Sequence, residues 1–334
     1  MKVFSDFHHD DLYHSFKMLF EQRLGWDLYH PIGTDWYAQG HWGYSLEPRV
    51  IQQYLGAGKK WEDVGDHCLV ANPFHGYNNR AVTLDQFKEM KFDILISSVP
   101  ENYHLYKRLV KLYQPKAKVI QQVGNEWADF KYSDCQNLLI SCTPFDLPSE
   151  INHVFYHQEF DLNLFDFKAG DPKGPINSFV NDLNGLKDWK LFLRYEKELK
   201  EWKWKSYGLG CRDGNLRPQK PYLEGLKASS FVFHAKSIGD GFGHVIHNAF
   251  AVGRPVIVRG KWYKGRLAEE LMIDGKTCID LDNDSFKGNC EAIRSIVSSG
   301  GYPEMCHKAR ERFLSVVNYD QEFKMIKIFL ERLI

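Results

Sequence analysis

Residues 238–260, IGDGFGHVIHNAFAVGRPVIVRG, constrain the chain more than any other stretch. Glycines stand at 239, 241 and 243, an apolar run of helical length follows, and residues 255–258 read as a short hydrophobic strand. A helix entered in this way leaves its first N–H groups without intrahelical partners. Their partial positive charge, added to the helix dipole, favours an anion such as a phosphate. Gly241 and Gly243 carry no Cβ, so an anion can approach the main chain closely there. The same residues also suit an ordinary tight loop before a packed helix, and spacing alone does not separate the two readings.

Around this segment, short apolar runs alternate with helical ones, which is the pattern of layered α/β architecture. In the first half, strands are expected at 2–7, 27–30, 68–72, 92–97, 118–123 and 137–141. Helices are expected at 13–24 and at 103–113, where Leu105, Leu109 and Leu112 recur on one face. Strand ends near Phe7, Ser97 and Val123 would direct their loops towards a ligand crevice. GDPKGP, residues 170–175, interrupts both periodicities and reads as a linker. Beyond it, strands are expected at 176–180, 204–207, 230–234, 255–258 and 278–281. Helices are expected at 186–200, 242–252, 266–272, 285–298 and 303–317. A chain of 334 residues with 43% apolar content can bury two cores. The expected division is a first domain over 1–168, a second over 169–317, and a terminal helix over 318–334 that packs back on the first.

Composition narrows the setting. No apolar run reaches the roughly 18 residues of a membrane span, and MKVFSDFHHDD lacks the apolar stretch of a secretory signal. A cytoplasmic location is expected. The seven cysteines are scattered and odd in number, which suits reduced, packed thiols, and no CxxC or compact Cys/His group suggests structural zinc. With 43 basic and 43 acidic residues, there is no global attraction to nucleic acid, although a local patch is allowed. KELKEWKWK, residues 197–205, offers lysines beside Trp202 and Trp204. It reads either as a polyanion contact with an aromatic platform or as a solvated helix entering a strand that buries its tryptophans. Glu196, Glu198 and Glu201 dilute the charge and favour the second reading.

Across 222–282, the succession of strand, GDGFG, helix, AVGRPVIV and KGRLAEELMIDGKTCIDLD resembles the GT-B glycosyltransferases, in particular the large retaining group with a Glu-x7-Glu donor signature. The resemblance implies an α/β fold of GT-B architecture, two Rossmann-like domains facing a central cleft, the second holding a nucleotide diphosphate sugar. HQEFDLNLF, residues 157–165, resembles the crossover segment between the domains. Asp240 stands where the family has its first glutamate, and Asn248, eight positions on, where it has the second. The resemblance implies that Asp240 approaches the donor sugar and Asn248 the nucleotide ribose. Asparagine is a departure, able to donate as well as accept. Gly241, Phe242 and Gly243 complete the motif, and His244, four before Asn248 on the same helix face, can support a phosphate. The family's Gly-Arg segment is not matched in NDLNGLKDWK, residues 181–190. Charge for the diphosphate is therefore sought at Lys187 or Arg194, or at Lys264 and Arg266 on the donor rim. GLGCRDG, residues 208–214, resembles the loop bordering the nucleotide base, with Gly208 and Gly210 allowing close approach and Arg212 or Asp213 a polar contact.

On the acceptor side, SDFHHDDLYHS presents His8, His9, Asp10 and Asp11 after the first strand. Of these, His8, Asp10 and Asp11 are candidates to orient an acceptor hydroxyl, or to act as base in an inverting enzyme; Asp11 can instead cap the following helix. In isolation HHDD also suits a metal, but the reaction implied by the resemblance needs no metal and no tightly bound cofactor. GNE, residues 124–126, is a further loop at a strand end. The implied activity is transfer of a hexose from a nucleotide diphosphate sugar, a UDP-sugar being favoured, to an acceptor hydroxyl with retention. The acceptor is open among glycan, lipid, small molecule and modified DNA. Alternatives are a phage-type transferase acting on hydroxymethylated DNA bases, a nucleotide-sugar epimerase, and a non-catalytic nucleotide-sugar-binding protein.

Overall fold

The computed structural model describes residues 1–7, 10–31, 35–39, 80–125, 130–143, 147–216, 219–237 and 239–334. The expected strand at 68–72, together with His8, His9 and Glu126, lies outside them. The chain divides into two compact units, Met1–Phe160 with Tyr319–Ile334, and Asp161–Asn318.

The first unit is built on a parallel sheet of β1 (Lys2–Ser5), β2 (Asp27–Pro31), β3 (Ala81–Val82), β4 (Ile94–Ser97), β5 (Lys118–Val123), β6 (Asn137–Ile140) and β7 (Asn152–Phe155). Their spatial order is β3-β2-β1-β4-β5-β6-β7, so the chain reverses direction across the sheet between β1 and β4. Helices α1 (Asp10–Phe16), α2 (Leu84–Glu89) and α3 (Pro100–Tyr113) connect the strands. A parallel sheet of this kind is covered on both faces, and side chains alternate between them. Val3, Ile94, Ile96 and Ile120 accordingly enter one core with Leu12 and Phe16 of α1. Phe4 and Leu95 enter the opposite core with Phe87, Leu105, Tyr106 and Leu109.

Two departures from periodicity appear here. Helix α1 passes into a π-helical segment, Lys17–Arg23, in which the Leu24 N–H reaches the Leu19 carbonyl five residues back at 3.1 Å. Leu112, expected on the apolar face of α3, is 61% exposed, because Tyr103 and Tyr106 complete the buried stripe with Leu105 and Leu109.

The second unit has five parallel strands, β8 (Ile176–Ser178), β9 (Trp204–Ser206), β10 (Phe231–His234), β11 (Val256–Val258) and β12 (Cys278–Asp280), in the order β12-β11-β10-β8-β9. Its helices are α4 (Trp189–Glu198), α5 (Gln219–Ala228), α6 (His244–Ala251), α7 (Phe286–Ser298) and α8 (Tyr302–Val316). The helix expected over 266–272 is instead a 3-10 turn, Leu267–Leu271. Its buried residues, Ala268 and Leu271, are three apart, which fits three residues per turn. Trp202 and Trp204 belong to this core, with Trp204 packed against Phe192 and Phe233. Their indole N–H groups donate to the Pro172 and Leu199 carbonyls, and Arg294 pairs with Glu198 and Glu201. The aromatic-platform reading of residues 197–205 therefore falls: the rings are interior and a neighbouring cation occupies two of the acidic groups.

After the second unit, α9 (Tyr319–Glu331) buries Ile326, Phe329 and Leu330 in the core of the first. Glu322 on this helix accepts from the His157 backbone N–H and lies 2.7 Å from its Nδ1. Arg23 grips Glu159 through Nε and Nη2 and reaches Asp320. Among the described residues the six cysteines are all free thiols, and no helix is long and apolar enough to cross a membrane.

Asp6, at the end of β1, is fully buried where the strand order reverses. It accepts from Ser98 N at 3.0 Å, Ser98 Oγ at 2.7 Å and Asn102 Nδ2 at 2.9 Å, fastening the turn that leads into α3. Burial raises its carboxyl to about 6, only partly offset by hydrogen bonds from Ser98, Asn102 and Tyr106. Between pH 4 and 6 the folded chain thus holds a proton that the unfolded chain has released, so this group's contribution to stability falls as pH rises through that window. Asp6→Asn should remove that slope: the difference in unfolding free energy between wild type and variant should change by roughly 3 kcal/mol across the window, from about two pKa units at about 1.4 kcal/mol each. Denaturant melts of both proteins at several pH values measure it.

Candidate functional site

In an open parallel sheet, ligands bind outside the carboxyl ends of the strands where the order reverses. In the second unit that point lies between β8 and β10, because β9 is added on one side of β8 and β10 on the other. The loop after β10 leads through GDGFG into α6. Ser237, in this loop, donates from its backbone N–H to Asp188 Oδ2 at 2.9 Å and from its hydroxyl to Oδ1. Asp188 starts α4, so the segments following β8 and β10 are joined side chain to main chain.

Helix α6 begins after Gly243, whose φ of 78° places it in the left-handed region, and no side chain caps the helix there. Phe242 anchors the motif: its ring is buried, stacks on His247 at 4.0 Å and meets His244 edge-on at 4.8 Å. His247 is wholly buried, with Nδ1 3.0 Å from the Gly243 carbonyl. Asn248, one turn below His244, is nearly buried and donates to the Tyr222 hydroxyl at 3.2 Å.

Asp240 sits at the centre of the loop. Its Oδ2 lies 2.5 Å from His234 Nε2 and accepts from the Tyr263 hydroxyl at 3.1 Å. Its Oδ1 accepts from the Lys236 ammonium at 2.5 Å, and its backbone carbonyl accepts from Arg266 Nη1. Burial by itself would raise this carboxyl, but the charge and hydrogen bonds of His234 and Lys236 outweigh burial and hold it well below the ordinary carboxylate range. The Tyr263 hydroxyl moves the other way, pushed well above its usual value by burial and by the charge of Asp240. His234 ends β10, Tyr263 and Arg266 follow β11, and Lys236 stands between. One carboxylate therefore fastens the GDGFG loop to the segment after the neighbouring strand.

The Gly208–Gly214 loop follows β9 and lies against the residues after β8. Asn181 Oδ1 accepts from the Leu209 N–H, and the Leu209 carbonyl accepts from the Asp182 N–H. A Cβ on Gly208 or Gly210 would collide with Asn181 or Asp182, at 2.8 and 2.2 Å. Arg212 is held by Glu196, Asp213 and the Trp204 carbonyl, over the ring of Trp189. Asp213 is shared with Lys205 and the Ser206 N–H. Both polar side chains of this loop are thus engaged in closing it. Lys264 is exposed, Lys187 is exposed, and Arg194 lies over Phe286 at 3.8 Å.

The acceptor-side candidates belong to the first unit. His8 lies outside the described residues, Asp10 opens α1, and Asp11 is exposed within its first turn. The helix already begins at Asp10, so Asp11 lies within it and does not cap it. Gly124 lies beside the buried amides of Gln122 and Gln158. Among the described residues, no group of three or more His, Cys, Asp or Glu side chains is placed to hold a metal.

Sequence reasoning missed His234, Lys236 and Tyr263 around Asp240, Asp188 beneath Ser237, and Asp6. Lys236 precedes Asp240 by four residues, but in a loop that spacing carries no expectation of contact.

No protein-family model and no curated protein matches the sequence. Solved structures do match. Anabaena HepE, crystallised with UDP and glucose, superposes with a TM-score of 0.66 at 9% identity, over 99% of each chain. A glycosyltransferase from Rickettsia africae gives 0.61 at 12% identity, over 99% of this chain and 98% of its own. The pneumococcal O-GlcNAc transferase GtfA, crystallised with UDP and GlcNAc, gives 0.53 at 13% identity over 72% of this chain and 56% of its own. At such identities the likeness is one of fold, and it shows that this chain has the GT-B fold, built of two Rossmann-like α/β domains.

Proposed function

We propose that the protein transfers a hexose from a nucleotide diphosphate sugar, with a UDP-sugar the favoured donor, to an acceptor hydroxyl. The observation that carries the reading is the glycine-bounded, side-chain-uncapped N-terminus of α6, set beyond the strands where the sheet of a GT-B fold reverses. In the reaction, the bond between the anomeric carbon and the β-phosphate oxygen breaks, and its electron pair leaves with the diphosphate. The acceptor oxygen bonds to the anomeric carbon and passes its proton to the departing diphosphate oxygen. Charge growing on the leaving oxygen is stabilised by N–H groups fixed in advance at the helix entrance, which do not reorganise as the reaction proceeds. Asn248 and Tyr222, joined to one another, face the nucleotide in this reading; Gly208 and Gly210 border its base. His8, Asp10 and Asp11 orient the acceptor. Retention at the anomeric carbon is supported by the resemblance to the Glu-x7-Glu group.

Three outcomes are expected. Ligand-detected NMR against UDP-, GDP-, ADP- and TDP-sugars should find selective binding of one donor class, lost in Asp240→Ala; a well-folded wild type that binds none sinks the proposal. Adding the correct acceptor to the bound donor should release nucleotide, and the anomeric proton of the product should show the donor's configuration. Gly239→Ala should also abolish donor binding, because its φ is 64° and a Cβ would lie 2.5 Å from the Trp262 carbonyl. Relieving that clash must move the loop that carries Asp240, while far-ultraviolet circular dichroism should be unchanged.

A further inference from the structure

The resemblance gives Asp240 the task of contacting the donor sugar, but its surroundings point elsewhere. A carboxylate has about four lone-pair positions, and three are directed to protein donors: His234, Lys236 and Tyr263. Beside the neutral Tyr263 hydroxyl, two of the groups that surround it are cations. Lys236 and Arg266 carry two positive charges against the single negative charge of Asp240, before His234 is counted. The Lys236 side chain keeps 25% of its surface exposed, and its ammonium has three N–H groups, one of which is given to Asp240. Arg266 gives one guanidinium nitrogen to the Asp240 carbonyl, and its Cζ lies 3.6 Å from where a Cβ on Gly239 would stand. Both cations therefore border the loop whose end is the uncapped N-terminus of α6. His234 is 2% exposed, and its Nδ1 has no hydrogen-bonding partner. The segment after β8 presents no cation in this cluster: its carboxylate, Asp188, is engaged by Ser237.

Resting on the proposed function, we infer that Lys236 and Arg266 hold the leaving diphosphate, and that Asp240 is a positioning residue for them rather than a ligand of the sugar. The missing Gly-Arg segment near 181–190 is then replaced by two cations drawn from the loops after β10 and β11. The fixed charge of Asp240 keeps Lys236 extended across the loop before any ligand arrives, which lessens the side-chain ordering that binding would otherwise require. As the bond to the sugar breaks, the added charge on the diphosphate meets two cations and the helix entrance together.

Calorimetric titration with UDP, UMP and UDP-glucose tests this. Lys236→Met and Arg266→Met should each weaken UDP by about tenfold or more, the loss of one charge-assisted contact, while UMP changes far less. Lys236→Arg should restore the preference for UDP over UMP. Asp240→Asn should shift UDP and UDP-glucose by the same factor, since neither contact is to the sugar. Equal losses of UDP and UMP in the two methionine variants, or no loss of UDP, would overturn the inference, as would a selective loss of UDP-glucose in Asp240→Asn. A wild-type protein that binds none of UDP, ADP, GDP and TDP would overturn the proposed function, and the inference with it.

Discussion

Parallel strands bury both faces, and in this chain that constraint places nearly every polar group of interest. Val3 and Phe4, adjacent in sequence, enter opposite cores, as do Leu95 and its neighbours Ile94 and Ile96. With both faces filled by aliphatic and aromatic side chains, hydrogen-bonding chemistry is left to the strand ends. Since all strands of each sheet run the same way, those ends collect on one edge, and the reversal of strand order opens a gap there. Asp6 follows β1 and the GDGFG loop follows β10, and each of these strands flanks the reversal of its own sheet.

Those two places hold buried aspartates with opposite electrostatics. Asp6 meets neutral donors, from Ser98, Asn102 and Tyr106, which do not compensate for loss of water, so its carboxyl moves up to about 6. Asp240 meets His234 and Lys236, and their charge more than compensates. The first therefore works as a hydrogen-bonded fastener between β1 and the turn before α3. The second is a permanent anion that holds cations near the α6 entrance. Similar backbone topology thus yields a fastening on one side and a charged site on the other, and the difference lies in whether neighbouring loops bring cations.

The α/β character and the strand–GDGFG–helix–strand unit were legible because they depend on local period and on glycine. Two elements were not. Helix α5, QKPYLEGLKA, carries Pro221 in its first turn and Gly225 within it, both of which break the expected pattern; a Cβ at Gly225 would stand 2.6 Å from the Leu216 Cδ1. Strand β7, NHVF, buries only Val154 among its four residues, too little for a periodic signal. The candidate site was half legible. Asp240 and Asn248 were picked out through the resemblance, while Arg212, expected to offer a polar contact, is paired with Glu196 and Asp213 on the surface of its loop.

Taken by itself, the sequence determined the alternation of strands and helices, the glycine-bounded entry to α6 and the residue types available there, since each of these is decided within a few positions of the chain. Only the tertiary structure decided which of those residues act on one another. Asp6 meets Ser98 across 92 positions, Asp240 meets Tyr263 across 23, and Ser237 meets Asp188 across 49. Each pairing follows from which strands lie side by side, and that order is set by the burial of two whole sheet faces rather than by any local preference. The charge state and task of a carboxylate depend on such neighbours, and so they follow from the assembled sheet.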